Sequence, residues 1–232
     1  KGDHEQDELE LSIMSGDDPM LVALHFSPAS IEGEPCTQIM IRDQGSSREL
    51  EEQLDTLSKQ DLLSGLYNRP YFMEQLDRLI TGNAEGAEDS HGLLYVYVDN
   101  LDTIQQTMGI TALDLVISDI AGLIKKEVDD NALAARFGDE AFTLVLRRAG
   151  VHETIALGEA VRHAVEEHVA ETGNRTITTT CSIGVAMIAD DSGSAQQAVD
   201  SAHQAAETAK AQGGNRVHLP TTEEDESPAA SN

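Results

Sequence analysis

From residue 61 the chain alternates between two periods, and this most limits the folds open to it. Leu93 to Val98 reads Leu-Leu-Tyr-Val-Tyr-Val, a continuous apolar run suited to a strand buried on both faces. Ile110 to Val128 then places Leu113, Val116, Ile117, Ile120 and Ile124 on one side of a helix. Leu133 to Phe137 and Phe142 to Leu146 read as a strand pair joined across Gly138-Asp139-Glu140-Ala141. Glu153 to Val169 is a second amphipathic helix, Thr176 to Ile188 a long β-branched strand region, Ala195 to Gln212 an Ala-rich helix and Arg216 to Leu219 a last short strand. Asp61 to Leu79 is expected to be helical. The order βαββαβ predicts an α/β sandwich of the ferredoxin-like plan, its two parallel crossovers carrying helices on one face of the sheet.

The segment before residue 61 is different. Glu8 to Met14, Met20 to His25 and Thr37 to Ile41 read as three short strands, with turn chemistry at Ser15-Gly16-Asp17-Asp18-Pro19. Ser47 to Lys59 carries Leu50, Leu54 and Leu57 at helical spacing, so a connector helix is expected at 47–60. It suits a two-stranded coiled coil or packing on its own domain. After Leu219 the acidic stretch 220–232 has no apolar period and reads as a disordered interdomain linker. The chain opens at Lys1 in mid-pattern, as a piece of a longer protein would.

Charge and composition exclude several functions. With 42 acidic against 15 basic residues the net charge is −27. A nucleic-acid duplex or an anionic membrane would be repelled. Only 3% of residues are aromatic and Trp is absent, so a base-stacking platform is also excluded. Cys36 and Cys181 have no metal or disulfide spacing, and no apolar run approaches the roughly 20 residues of a membrane span. A reduced, cytoplasmic setting is expected. His163 and His168 lie five apart, off the metal spacing, and read as surface residues. Cys181 reads as a small core residue.

Four motifs in order carry a family resemblance. Asp61-Leu62-Leu63-Ser64-Gly65-Leu66-Tyr67-Asn68-Arg69 resembles the D-x-L-T-G-L-x-N-R entry of GGDEF domains, the diguanylate cyclase fold of bacterial cyclic-di-GMP signalling. Arg136-Phe137 resembles the family's R-Y or R-F before its signature. Ser182-Ile183-Gly184-Val185-Ala186 is similar to its S-I-G-V-A strand. Ala209-Lys210 with Gly213-Gly214-Asn215-Arg216-Val217 is similar to its closing A-K-x-x-G-R-N-R-V. The resemblance covers 61–219.

The resemblance implies a reaction in which two GTP molecules meet head to tail, each 3′-hydroxyl attacking the other's α-phosphate. It also implies a divalent cation held by hard carboxylate oxygens. Here the signature is altered. Aligned without a gap, Gly138-Asp139-Glu140-Ala141-Phe142 stands where the family has G-G-[DE]-E-F, so Glu140 keeps the first acidic position and Ala141 replaces the second. A gap would bring Asp139-Glu140 into register and break the match at Phe142. Adjacent β positions face opposite sides, so a shift of one residue is expected to turn a carboxylate away from the site.

Gly109-Ile110-Thr111-Ala112-Leu113-Asp114 stands for the family's G-H-x-x-G-D. Counting back from it, the metal-binding Asp falls on Tyr97, the guanine-contacting Asn on Gln105 and a neighbouring Lys on Asp102. A slide placing Asp99 at the metal position would lose the matches at Gly109 and Asp114. The inhibitory R-x-x-D would begin at Asp129 and is absent, and the phosphate-binding Arg becomes Gly214.

The expectation is an inactive cyclase fold with no catalytic residues, no metal and no cofactor, whose residual nucleotide contacts would be Gln105, Asp114 and Lys210. Asp114 also suits a favourable place in the first turn of its helix, and Lys210 a solvated cation at a helix C-terminus. Thr37 to Gly45 resembles the closing strand of a PAS domain, which implies a partial PAS segment at 1–46. The combination resembles FimX-type PAS–GGDEF–EAL regulators of type IV pili. It implies an adjacent EAL-type domain, signalling partners and a homodimer through the connector helix or PAS segment, with neither nucleic acid nor membrane as partner.

Overall fold

The computed structural model describes residues 8–15, 18–43, 53–83, 90–188 and 193–220. The chain divides into two units, 1–58 and 59–232. In the first, β1 (Glu8–Ser15), β2 (Asp18–Ile31) and β3 (Glu34–Asp43) form an antiparallel meander. The middle strand is longer than its apolar pattern suggests. It runs through Pro28, which pairs with Thr37 of β3. Glu32 and Gly33, both at positive φ (53° and 88°), make the tight turn into β3. Residues 53–59 are helical as expected, with Leu54 and Leu57 more than half exposed; the rest of the connector helix and the tail 221–232 lie outside the described residues.

The second unit is built on a six-stranded sheet ordered β11-β10-β5-β7-β6-β4. Its strands are β4 (Tyr67–Asn68), β5 (His91–Val98), β6 (Ala132–Arg136), β7 (Ala141–Leu146), β10 (Cys181–Ile188) and β11 (Arg216–His218). The inner four, β10-β5-β7-β6, are antiparallel neighbours and reproduce the ferredoxin-like plan. Helices cover both faces rather than one. Five are α1 (Arg69–Asn83), α2 (Leu101–Met108), α3 (Ile110–Glu127), α4 (Val151–Glu167) and α5 (Ala195–Ala211). One core joins Val116, Ile117, Ile120 and Ile124 of α3 and Val161 and Val165 of α4 to Leu94, Val96 and Ile183 of the sheet. The other joins Phe72 and Leu76 of α1 and the alanines of α5 to Leu93, Val145 and Ile188. Alanines on α5 allow close approach: a Cβ at Gly184 would lie 2.0 Å from the Ala202 carbonyl oxygen.

Two expectations are corrected, and one helix was not expected. Asp61 to Leu66 is a turn, not a helix. The Asp61 carboxylate accepts the Ser64 N–H (2.8 Å), Gly65 sits at φ 60°, and the helix begins only after Asn68 caps it by accepting the Tyr71 N–H (3.0 Å). Thr176 to Ile188 is not one strand. β8 (Ala170–Thr172) and β9 (Arg175–Ile177) form a hairpin about Gly173, and β10 starts at Cys181. The short helix α2 follows Asn100 at φ 61° and ends at Gly109 at φ 85°; it buries Leu101 and Ile104 and packs Met108 against the core, too short an apolar period to mark a helix in the sequence.

Candidate functional site

The register of the central strands sets the site. Tyr97, near the end of β5, pairs with Ala141 on one side and Ser182 on the other. The β6–β7 turn closes through Phe137 N–H to the Ala141 carbonyl (2.9 Å), and the Glu140 carbonyl accepts the Val98 N–H (2.9 Å). Phe142 is fully buried opposite Arg136. Gly138, Asp139 and Glu140 therefore lie in the turn, ahead of the pleat. That is why both Asp139 and Glu140 border one cavity, contrary to the expectation that neighbouring carboxylates must diverge.

The cavity, of about 430 Å³, is bounded by Leu101, Asp102 and Gln105 of α2, Ile110, Leu113 and Asp114 of α3, and Arg136, Asp139 and Glu140. The expected nucleotide contacts Gln105 and Asp114 are thus brought together. Lys210 is not among these residues. It is exposed in the last turn of α5, as expected of a solvated cation, and its ammonium also sits 3.6 Å from the centre of the Tyr97 ring.

The Tyr97 hydroxyl donates to the Glu140 carboxylate. That hydrogen bond, with partial burial, pushes the phenol above its ordinary range, while Lys210 pulls it back. Glu140 is the one acidic residue kept in register, and its carboxylate is engaged by a neutral donor.

Asp99 does not take the place of Tyr97. It is buried (6% exposed), accepts from Thr180 Oγ1 (2.7 Å), Ser182 Oγ (2.9 Å) and the Asn215 N–H (3.3 Å), and does not border the cavity. Gly214, at φ 70°, wraps around it; a Cβ there would lie 3.2 Å from Asp99 Oδ2. The Asp99 carboxylate is a clamp between β5, β10 and the closing loop.

Arg136 borders the cavity, yet its guanidinium faces Asp61 at 3.4 Å from both oxygens and the Asp139 carbonyl at 3.5 Å. Burial works to raise the Asp61 pKa, but the Ser64 hydrogen bonds and the Arg136 charge outweigh it and hold the carboxyl below its usual range. The two residues belong to separate sequence motifs, 75 positions apart, and only the fold joins them. Cys181 is fully buried, and burial pushes its thiol far above the ordinary range. His163 is exposed, whereas His168 meets Asp119 at 2.9 Å between the end of α4 and α3. No group of three or more His, Cys, Asp or Glu that could hold a metal occurs among the described residues, and no helix among them is long and apolar enough to cross a membrane.

Residues 58–216 match the family described as "Diguanylate cyclase, GGDEF domain". Diguanylate cyclase A of Treponema denticola is 31% identical over 169 residues, 72% of this chain and 46% of that protein. Among solved structures, the coiled coil and GGDEF domain of DgcB from Caulobacter crescentus, in complex with c-di-GMP, superposes with a TM-score of 0.71 at 26% identity, covering 75% of this chain and 92% of that one. The FimX GGDEF domain of Pseudomonas aeruginosa gives a TM-score of 0.66 at 29% identity, covering 70% and 99%. The chain spans less than half the length of the curated relatives it matches. With its sheet order, its four motifs and a matched span of more than half its length, the chain belongs to the GGDEF family of diguanylate cyclase-like domains in cyclic-di-GMP signalling.

Proposed function

We propose that this GGDEF domain does not form cyclic-di-GMP and serves instead as a regulatory or scaffolding module within a larger signalling protein. The observation that carries this reading is the hydrogen bond from Tyr97 to Glu140. At the position where the family resemblance implies a metal-binding aspartate stands a phenol, neutral at physiological pH, and it uses the one in-register carboxylate as its acceptor. A hard divalent cation needs several anionic or carbonyl oxygens in near-octahedral array, and this donor set fits it poorly. Ala141 supplies no base for the attacking hydroxyl, a loss of roughly 10²–10⁴-fold by itself. Gly214 brings no guanidinium to the phosphates.

The module would transmit signals to, or dimerise beside, an EAL-type domain, in a FimX-like arrangement that suits control of type IV pili in a cytoplasmic setting. The likeness to the FimX GGDEF domain supports that placement. Incubating the protein with GTP and Mg²⁺ and analysing the mixture by mass spectrometry tests the reading: GTP should remain unconverted, and steady accumulation of cyclic-di-GMP would overturn it. A second reading, a GTP-binding sensor that does not cyclise its ligand, draws on Gln105 and Asp114 bordering one cavity. Calorimetry with GTP and Mg²⁺ separates the two, the scaffold predicting no heat of binding.

A further inference from the structure

Two opposite charges stand on either side of one phenol near the end of β5. The Tyr97 hydroxyl donates to the Glu140 carboxylate of the β6–β7 turn, and the Lys210 ammonium lies 3.6 Å from the centre of the same ring. No direct ion pair joins Lys210 to Glu140 among the described residues. The cross-strand partners of Tyr97 are Ala141 and Ser182, both small, so no bulky neighbour competes for the space its ring takes between the turn and α5. Each charged group is also anchored through its own backbone. The Glu140 carbonyl accepts the Val98 N–H (2.9 Å), which ties the turn to β5 beside Tyr97. The Lys210 carbonyl accepts the Gly213 N–H (3.1 Å), and the Asn215 N–H just beyond reaches Asp99, so the buried clamp also fixes the end of α5 that carries the lysine.

We propose that Lys210 is a positioning residue that acts on the Gly138–Glu140 turn through Tyr97, the three side chains forming a phenol-relayed ion pair that holds the turn from inside the protein. A cation over a ring face draws on its π electrons and makes the phenolic O–H a better donor. A carboxylate is a charged acceptor, and hydrogen bonds to charged acceptors are shorter and stronger than neutral ones. The two contacts therefore reinforce each other across the ring, as linked polar contacts do in a partly buried site. The turn that the family resemblance would have carry a carboxylate to a divalent ion is closed here by side chains alone. The module thus keeps one shape at this turn with or without Mg²⁺, which is what a scaffold requires. The relay rests on the proposed loss of cyclase chemistry and supplies what that reading lacks, a reason why the altered turn stays ordered.

Amide hydrogen exchange followed by NMR on the full chain reads the turn at the Gly138 N–H, which donates to the Ala141 carbonyl, and at the Val98 N–H. Tyr97→Phe removes a hydrogen bond to a charged acceptor and should speed exchange there at least about tenfold. Lys210→Met keeps an apolar stem and loses the charge; it should speed exchange about two- to fivefold, the range of an exposed cation–π contact. Lys210→Arg, which keeps a cation over the ring, should hold the parent rate to within about 1.5-fold. In the Tyr97→Phe background Lys210→Met should add less than about 1.5-fold, because the relay is already cut. The amides of the β8–β9 hairpin serve as reference and should change by less than about 1.5-fold in every variant. Equal acceleration by Lys210→Met in both backgrounds, or none in the parent, would overturn the proposal. Acceleration shared equally by the reference hairpin, or slowing of the turn amides when Mg²⁺ is added to the parent, would also overturn it. Incubating the same protein with GTP and Mg²⁺ keeps the two readings apart: product formation counts against the inactive-cyclase reading, whereas uncoupled exchange without product counts only against the relay.

Discussion

Replacing Asp99 by alanine would leave the Thr180 and Ser182 hydroxyls and the Asn215 N–H without their acceptor in a buried place. Unsatisfied buried groups of this kind cost roughly 2–4 kcal/mol together, which thermal denaturation of the Asp99→Ala protein would read as a lower Tm. Asp61 makes a pH-dependent contribution instead. Its folded pKa is depressed, so its stabilisation is present above the ordinary carboxylate range and is lost as pH falls through the folded value. Asp61→Asn should therefore be less stable than the parent at pH 7, and the difference should shrink below about pH 4; a constant difference across denaturation curves from pH 7 to 2 would count against the ion pair with Arg136. The two cysteines should separate in a thiol assay on the native protein. Half-buried Cys36 reacts readily, and Cys181, whose thiolate burial disfavours, reacts only on unfolding.

The elements best read from sequence were those whose side-chain pattern alone decides their structure. α3, α4 and α5 each begin and end within about two residues of their apolar periods, and β5 to β7 follow their apolar runs. What escaped was set by turn chemistry. The Asp61 to Leu66 segment has helix-like leucine spacing, but Gly65 at positive φ and the Asp61–Ser64 hydrogen bond fold it as a turn that aims Asp61 at Arg136. The site was legible as a set of altered positions. Its geometry was not, because Asp139 and Glu140 sit in a turn where strand alternation gives no guidance, and because pairing Asp99 with Thr180, Ser182 and Asn215 joins segments some eighty or more residues apart. At this scale Gly184→Ala is the sharpest test. Its Cβ would meet the backbone of α5 at 2.0–2.2 Å, so the helix must move off β10, at a cost of about 3 kcal/mol or more by urea denaturation.

Taken whole, the second unit has two cores and six paired strands in a ferredoxin-like arrangement around the site. Tyr97 and Ala141 face each other across paired strands, and Lys210 covers the phenol ring. On the proposed reading the fold is kept without the reaction, and the site should then not take up a divalent ion even when nucleotide is supplied. Electron paramagnetic resonance of Mn²⁺ titrated against the protein with GTP reads this directly. The parent protein should leave the free Mn²⁺ signal undiminished beyond what GTP alone binds, while Tyr97→Asp, which frees Glu140 and adds a second carboxylate, should bind about one ion per chain. Stoichiometric uptake of Mn²⁺ by the parent protein, abolished by Glu140→Gln, would contradict the account.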